Sequence, residues 1–103
     1  MYQIQYSKSF AASLSKTINY WEKQLKLSDK AITKYVSLIY RNINLLSEYP
    51  YISEDVSKKY HFNKSTYRIT IGNQYCIFYR VDEHKKIVQI GSLFNNRQMR
   101  IKF

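Results

Sequence analysis

From Thr66 onward the chain reads TYRITIGNQYCIFYRVDEHKKIVQIGSLFNNRQ, and the alternation in this run constrains the fold more than any other feature. Tyr67, Ile69 and Ile71 fall on one face, with Thr66, Arg68 and Thr70 on the other. After Gly72-Asn73 the apolar row resumes as Tyr75, Ile77, Tyr79 and Val81, opposed by Cys76, Phe78 and Arg80. Period-2 alternation broken by Gly-Asn predicts a β-hairpin. An arginine on a sheet face must meet solvent, an acidic partner or phosphate, because an unpaired buried charge is too costly.

The preceding sequence has helical spacing. Phe10, Leu14, Ile18, Trp21 and Leu25 recur at steps of three and four, predicting a helix over 9–27 with Ser7 or Ser9 as N-cap. Trp21 is expected in the core. Ser28 caps a second helix, and Asp29 suits its positive end. Ile32, Tyr35, Val36, Ile39, Ile43 and Leu46 form its stripe. So short a connection predicts an antiparallel helical hairpin. Before it, Tyr2, Ile4 and Tyr6 alternate with polar residues as a first strand. Pro50 closes the helical region, and 47–65 reads as loop. A last strand over 87–94 follows the turn 83–86, with Gly91 inside it marking a bulge or the close approach of another backbone. The predicted fold is α+β, in the order β-α-α-β-β-β. Both helices pack on one face of a mostly antiparallel sheet, leaving the other face partly open.

A chain of 103 residues predicts a single domain over 1–103. Seventeen lysines and arginines against seven acids give a formal charge of +10. So basic a small fold favours nucleic acid or an acidic protein segment as partner over a neutral metabolite. The single cysteine, Cys76, allows no internal disulfide, in keeping with a reducing cytoplasm. Neither a secretory leader nor the roughly 20 apolar residues of a membrane span is visible. Two histidines and one cysteine make no metal site, and no glycine-rich phosphate loop is present, so no cofactor is expected.

The pair Tyr67-Arg68, the run YCIFYRVDE over 75–83 and the ending LFNNRQ over 93–98 resemble the RelE/ParE superfamily of type II toxin-antitoxin toxins. The resemblance covers nearly the whole chain. It implies a growth-inhibiting toxin held in check by a cognate antitoxin, whose acidic or amphipathic segment wraps the basic toxin. One branch of the superfamily cuts messenger RNA on the ribosome without a metal; the other poisons DNA gyrase by protein contact.

Arg68, Arg80, Arg97 and Arg100 are the candidates for binding phosphate or target, with solvation or pairing to Asp82 or Glu83 as the plainer roles. His61 and His84 are weak acid-base candidates on loops. Cys76 stands where the nucleases tend to hold an arginine, and Phe94 where many members hold a histidine or tyrosine. The catalytic set is therefore incomplete, and catalytic residues are unassigned. The expectation is gyrase inhibition through protein binding. The alternatives are ribosome-dependent mRNA cleavage and a degenerate, non-toxic binding protein.

Overall fold

The computed structural model describes residues 1–96. The strands are β1 (Gln3–Tyr6), β2 (Glu54–Asp55), β3 (Tyr67–Ile71), β4 (Tyr75–Asp82) and β5 (Ile87–Asn95), and the helices are α1 (Lys8–Lys23) and α2 (Asp29–Leu45). They form one five-stranded sheet in the order β1-β5-β4-β3-β2. All pairings are antiparallel except β1 with β5, which is parallel. The order matches the expectation, with β2 added inside the segment read as loop. Two charged residues carry no alternation, so β2 left no signal of its own.

Ser7 caps α1, its Oγ accepting from the Phe10 N–H at 3.0 Å. Ser28 caps α2 in the same way through the Ala31 N–H at 3.1 Å. Such a cap supplies an acceptor to an otherwise unpaired N–H of the first turn. α1 stops at Lys23, short of the expected end at 27. Lys26 adopts a left-handed φ of 51°, and the chain turns there into the second cap. Leu25 therefore leaves the stripe and is 49% exposed.

Phe10, Leu14 and Trp21 from α1 and Ile32, Ile39, Ile43 and Leu46 from α2 and its end bury against Ile69, Ile71, Ile77, Val88, Ile90 and Leu93 of the sheet. Aromatic rings join the two helices to one another and to the sheet. The Trp21 Nε1–H donates to the Tyr75 hydroxyl at 2.9 Å within the core, and the Trp21 ring lies 5.0 Å from that of Tyr35. At the other end Tyr40 meets both Tyr6 and Phe10 edge-on. Such amphipathic rings carry large apolar area while their polar atoms find partners.

Gly91 sits at an irregularity in the β4–β5 ladder between Ile77 and Tyr79. A Cβ there would lie 2.9 Å from the Phe78 carbonyl oxygen. The bulge and the close backbone approach expected at this glycine are the same feature. Gly72 has φ +62°, the conformation its turn demands.

Candidate functional site

The register puts Tyr67, Ile69, Ile71, Tyr75, Ile77 and Tyr79 on the helix-covered face, as the alternation predicts. Arg68, Cys76, Phe78 and Arg80 occupy the opposite face. That face is less open than expected. The segment after β2 crosses part of it as a strap over 57–65 and lays Tyr60 and Phe62 on Phe78, at ring distances of 5.4 and 5.8 Å. Phe78 is buried beneath these rings, and Cys76 is buried on the same face. The strap is pinned at both ends. Asp55 accepts from the Ser57 backbone N–H at 2.9 Å and from the Ser57 hydroxyl, and these bonds hold its carboxyl below the usual range. The Val56 N–H donates to the Thr66 carbonyl at 2.8 Å.

A groove of about 520 Å³ remains between the strap and β1. Its polar row crosses three strands and ends on the residue before β3: Gln5 pairs with Gln89 in register, Gln89 with Arg80, and the Arg80 Nε–H donates to the Thr66 hydroxyl at 3.0 Å. Its aromatic side is Phe62, Phe78 and Phe94. Phe78 and Phe94 meet edge-on at 5.6 Å, and the Arg80 guanidinium lies 5.7 Å from the centre of the Phe62 ring. The Nε bond and the ring fix the guanidinium plane. Among the described residues its terminal amino groups take no partner. A preoriented cation beside aromatic faces suits an anionic ligand that carries flat rings.

The two sheet arginines thus differ. Arg68 donates from Nη1 to the Tyr60 hydroxyl at 2.9 Å and pairs with Glu54 at 3.4 Å through Nη2. It belongs to the strap and does not line the groove. Neither arginine pairs with Asp82 or Glu83, the partners the sequence suggested. Asp82 accepts from the Lys85 N–H in the β4–β5 turn, at 3.0 Å. Glu83 is taken by Lys86, Tyr51 and Tyr2, with the Tyr2 hydroxyl at 2.6 Å. Those bonds, Lys86 first, hold the Glu83 carboxyl at about 2. Arg97 and Arg100 lie outside the described residues.

Cys76 is fully buried, and burial pushes its thiol up to about 11, with nearby Arg68 opposing only in part. A protonated, enclosed thiol is a core group and not a nucleophile. His61 is exposed in the strap with a left-handed φ of 59°, and His84 is exposed in the β4–β5 turn; neither lines the groove. Of the sequence candidates the structure brings Arg80 to the groove, beside Phe62, Gln5 and Gln89, which the sequence did not single out. Phe62 comes from an aperiodic loop. The two glutamines share a face with Arg80 only once the parallel register of β1 on β5 is known. No group of metal-ligating side chains occurs among the described residues. No helix among them is long and apolar enough to cross a membrane.

Two helices on one face of a five-stranded sheet, with a basic and aromatic groove on the other, define a class of small α+β toxins. The family described as "ParE toxin of type II toxin-antitoxin system, parDE" matches residues 4–100, and the chain belongs to it. It is the toxin of a type II pair, neutralised by a cognate antitoxin. The fold is similar to that of a chain in the RelBE2 toxin-antitoxin complex of Mycobacterium tuberculosis, at TM-score 0.58 and 17% identity, covering 91% of this chain and 96% of that one. It is similar also to a chain in the intact E. coli RelBE toxin-antitoxin complex, at TM-score 0.57 and 16% identity, covering 90% and 94%. No match was found among curated proteins.

Proposed function

We propose that the groove is the toxin's working surface and that it receives RNA, which makes the chain a ribosome-dependent message endoribonuclease of the RelE kind. The observation that carries this reading is Arg80. Its guanidinium is held by Thr66 and Phe62, and its terminal amino groups are left for a ligand beside three aromatic rings. Single-stranded RNA offers that surface both phosphate and stackable bases. The charge of +10 favours the same partner, and the fold is the one found in the two RelBE complexes.

In metal-free cleavage the 2'-oxygen attacks phosphorus and the bond to the 5'-oxygen breaks. Arg80 would stabilise the charge that builds on the phosphoryl oxygens. The 2'-hydroxyl also needs a proton acceptor. Among the described residues Arg80 is the titratable side chain on the groove's own face; Tyr6 and Tyr79 border the groove, but their rings turn to the helix-covered face. Both hydroxyls are raised, first by burial, and Tyr79 donates to the Pro50 carbonyl at 2.8 Å. Neither accepts a proton at neutral pH. A cleaving complex then takes its acceptor from the ribosome-bound assembly, so free RNA stays intact with the purified protein.

The same observation favours a second reading, inhibition of DNA gyrase by binding alone, which needs cations and apolar surface but no proton acceptor. Purified protein on translating ribosomes, read for message cuts, and gyrase supercoiling with the same preparation separate the two. Cuts that disappear in Arg80→Ala, with supercoiling untouched, support the RNA reading. Loss of supercoiling with intact messages replaces it with gyrase. No growth arrest on expression without antitoxin removes both.

A further inference from the structure

Gln5 and Gln89 are neighbours in register on β1 and β5, both exposed and both lining the groove. Among the described residues neither side-chain amide takes a hydrogen bond. Gln89 is also the register partner of Arg80. Adjacent strands lie about 4.8 Å apart, so the two amides and the guanidinium stand in one row across the sheet. The aromatic side begins one residue pair further along β4, at Phe78. A groove of about 520 Å³ falls in the range of nucleotide-sized ligand sites.

We infer that this row is a base-reading subsite that selects adenine in the bound RNA, with Gln89 as the principal reader and Gln5 as its support. The inference rests on the RNA reading of the groove and adds to it a specificity-determining residue. An amide presents a donor and an acceptor side by side. On the Hoogsteen edge that pair matches adenine alone, which offers the ring nitrogen N7 as acceptor next to its exocyclic amino donor. Guanine places two acceptors on the corresponding edge and would call for a guanidinium. The guanidinium of Arg80 is turned to Thr66 and Phe62, on the far side of β4 from Gln89, and takes the phosphate. An adenine in contact with Gln89 stacks on the aromatic side, where Phe94 is the most exposed ring and Phe78 lies behind it. Stacking tolerates any base, so discrimination falls to the amides.

The test uses fluorescein-labelled uridine hexanucleotides carrying one central A, C or G, or none, titrated with the purified full chain and read by anisotropy. Cut positions on translating ribosomes are mapped in parallel. The expected result is about tenfold tighter binding of the A-containing oligomer than of all-U. Gln89→Ala should bring that ratio below about threefold, whereas Arg80→Ala should weaken all four oligomers by a common factor. Gln89 is exposed and Arg80 half-buried, and thermal melts check that both variants fold. Equal binding of the four oligomers, or a preference for A that survives in Gln89→Ala, overturns the inference. Message cuts that persist without clustering at A overturn it while the ribonuclease reading stands. Selective binding of A without any cut supports the subsite and overturns the ribonuclease reading instead. No RNA binding together with no cuts overturns both.

Discussion

Gly91→Ala adds one carbon where the backbones of β4 and β5 approach closely. Its Cβ would stand 2.9 Å from the Phe78 oxygen and 3.7 Å from the Phe78 carbonyl carbon. Close carbon–oxygen contacts between strands sit at about 3.3–3.6 Å, so the shortfall is about half an ångström. The obstructing atom is backbone and cannot rotate away. It belongs to β4, which is paired on both sides, with β3 and with β5. Forcing an extra carbon into packed structure costs about 1–3 kcal/mol. Alanine recovers about 0.5–1 kcal/mol over glycine in a strand through the unfolded chain. The net expectation is a loss of about 1–2 kcal/mol, against a total of about 5–15 kcal/mol for a domain of this size. At about 4–8 °C per kcal/mol, the midpoint should fall by about 5–15 °C. Thermal unfolding followed by circular dichroism measures it. Gln89→Ala is the control on the same strand, because its exposed side chain makes no hydrogen bond in the described chain and should move stability by no more than about 0.5 kcal/mol. A Gly91→Ala midpoint within about 2 °C of the parent, or above it, would show that the bulge absorbs the Cβ, and would refute the assignment of Gly91 to close packing against Phe78.

Trp21→Phe removes the Nε1–H that donates to the buried Tyr75 hydroxyl and part of the ring contact with Tyr35 and Tyr75; urea denaturation should show a loss of about 2–3 kcal/mol. Arg68→Ala frees Tyr60 and Glu54; limited proteolysis should cut within 57–65 faster than in the parent, with the melting temperature little changed because the ion pair is partly exposed. The Glu83 carboxyl has its folded value lowered from 4.5 to about 2, so its contribution is present above about 4.5 and lost as pH falls towards 2. Melts of the parent and Glu83→Gln should therefore differ by a constant amount above pH 5 and converge between pH 4.5 and 2. Cys76 should react with a thiol reagent at pH 7.5 only at the rate of unfolding, a rate that urea raises and added reagent does not.

The elements that periodicity defines were legible in the sequence. Both helices, the central hairpin, the last strand and the face on which each residue of 67–71 and 75–81 points follow from spacing alone, because burial on one side imposes it. Leu25 was misread because a stripe can run on in sequence after the backbone has left the helix, and it was the left-handed turn at Lys26 that ended α1. The strap was illegible for a different reason. It is held by single bonds from Asp55, Arg68 and the Thr66 carbonyl, and such bonds impose no repeat on the residues that make them.

The arginines show how far a correct face assignment reaches. Alternation placed Arg68 and Arg80 on the same side of the sheet, and both stand there. Their roles part because the neighbouring strands supply different partners. Arg68 faces the β2 edge, where Glu54 and the strap hydroxyl of Tyr60 occupy its amino groups. Arg80 has Thr66 on one side and Gln89 on the other, and Thr66 engages only Nε. The nearest acids in sequence, Asp82 and Glu83, were drawn into the turn by Lys85 and Lys86 and left Arg80 without a carboxylate. A protein this basic holds few acids to spare, and spending those two on the turn keeps one guanidinium beside the groove available to a ligand.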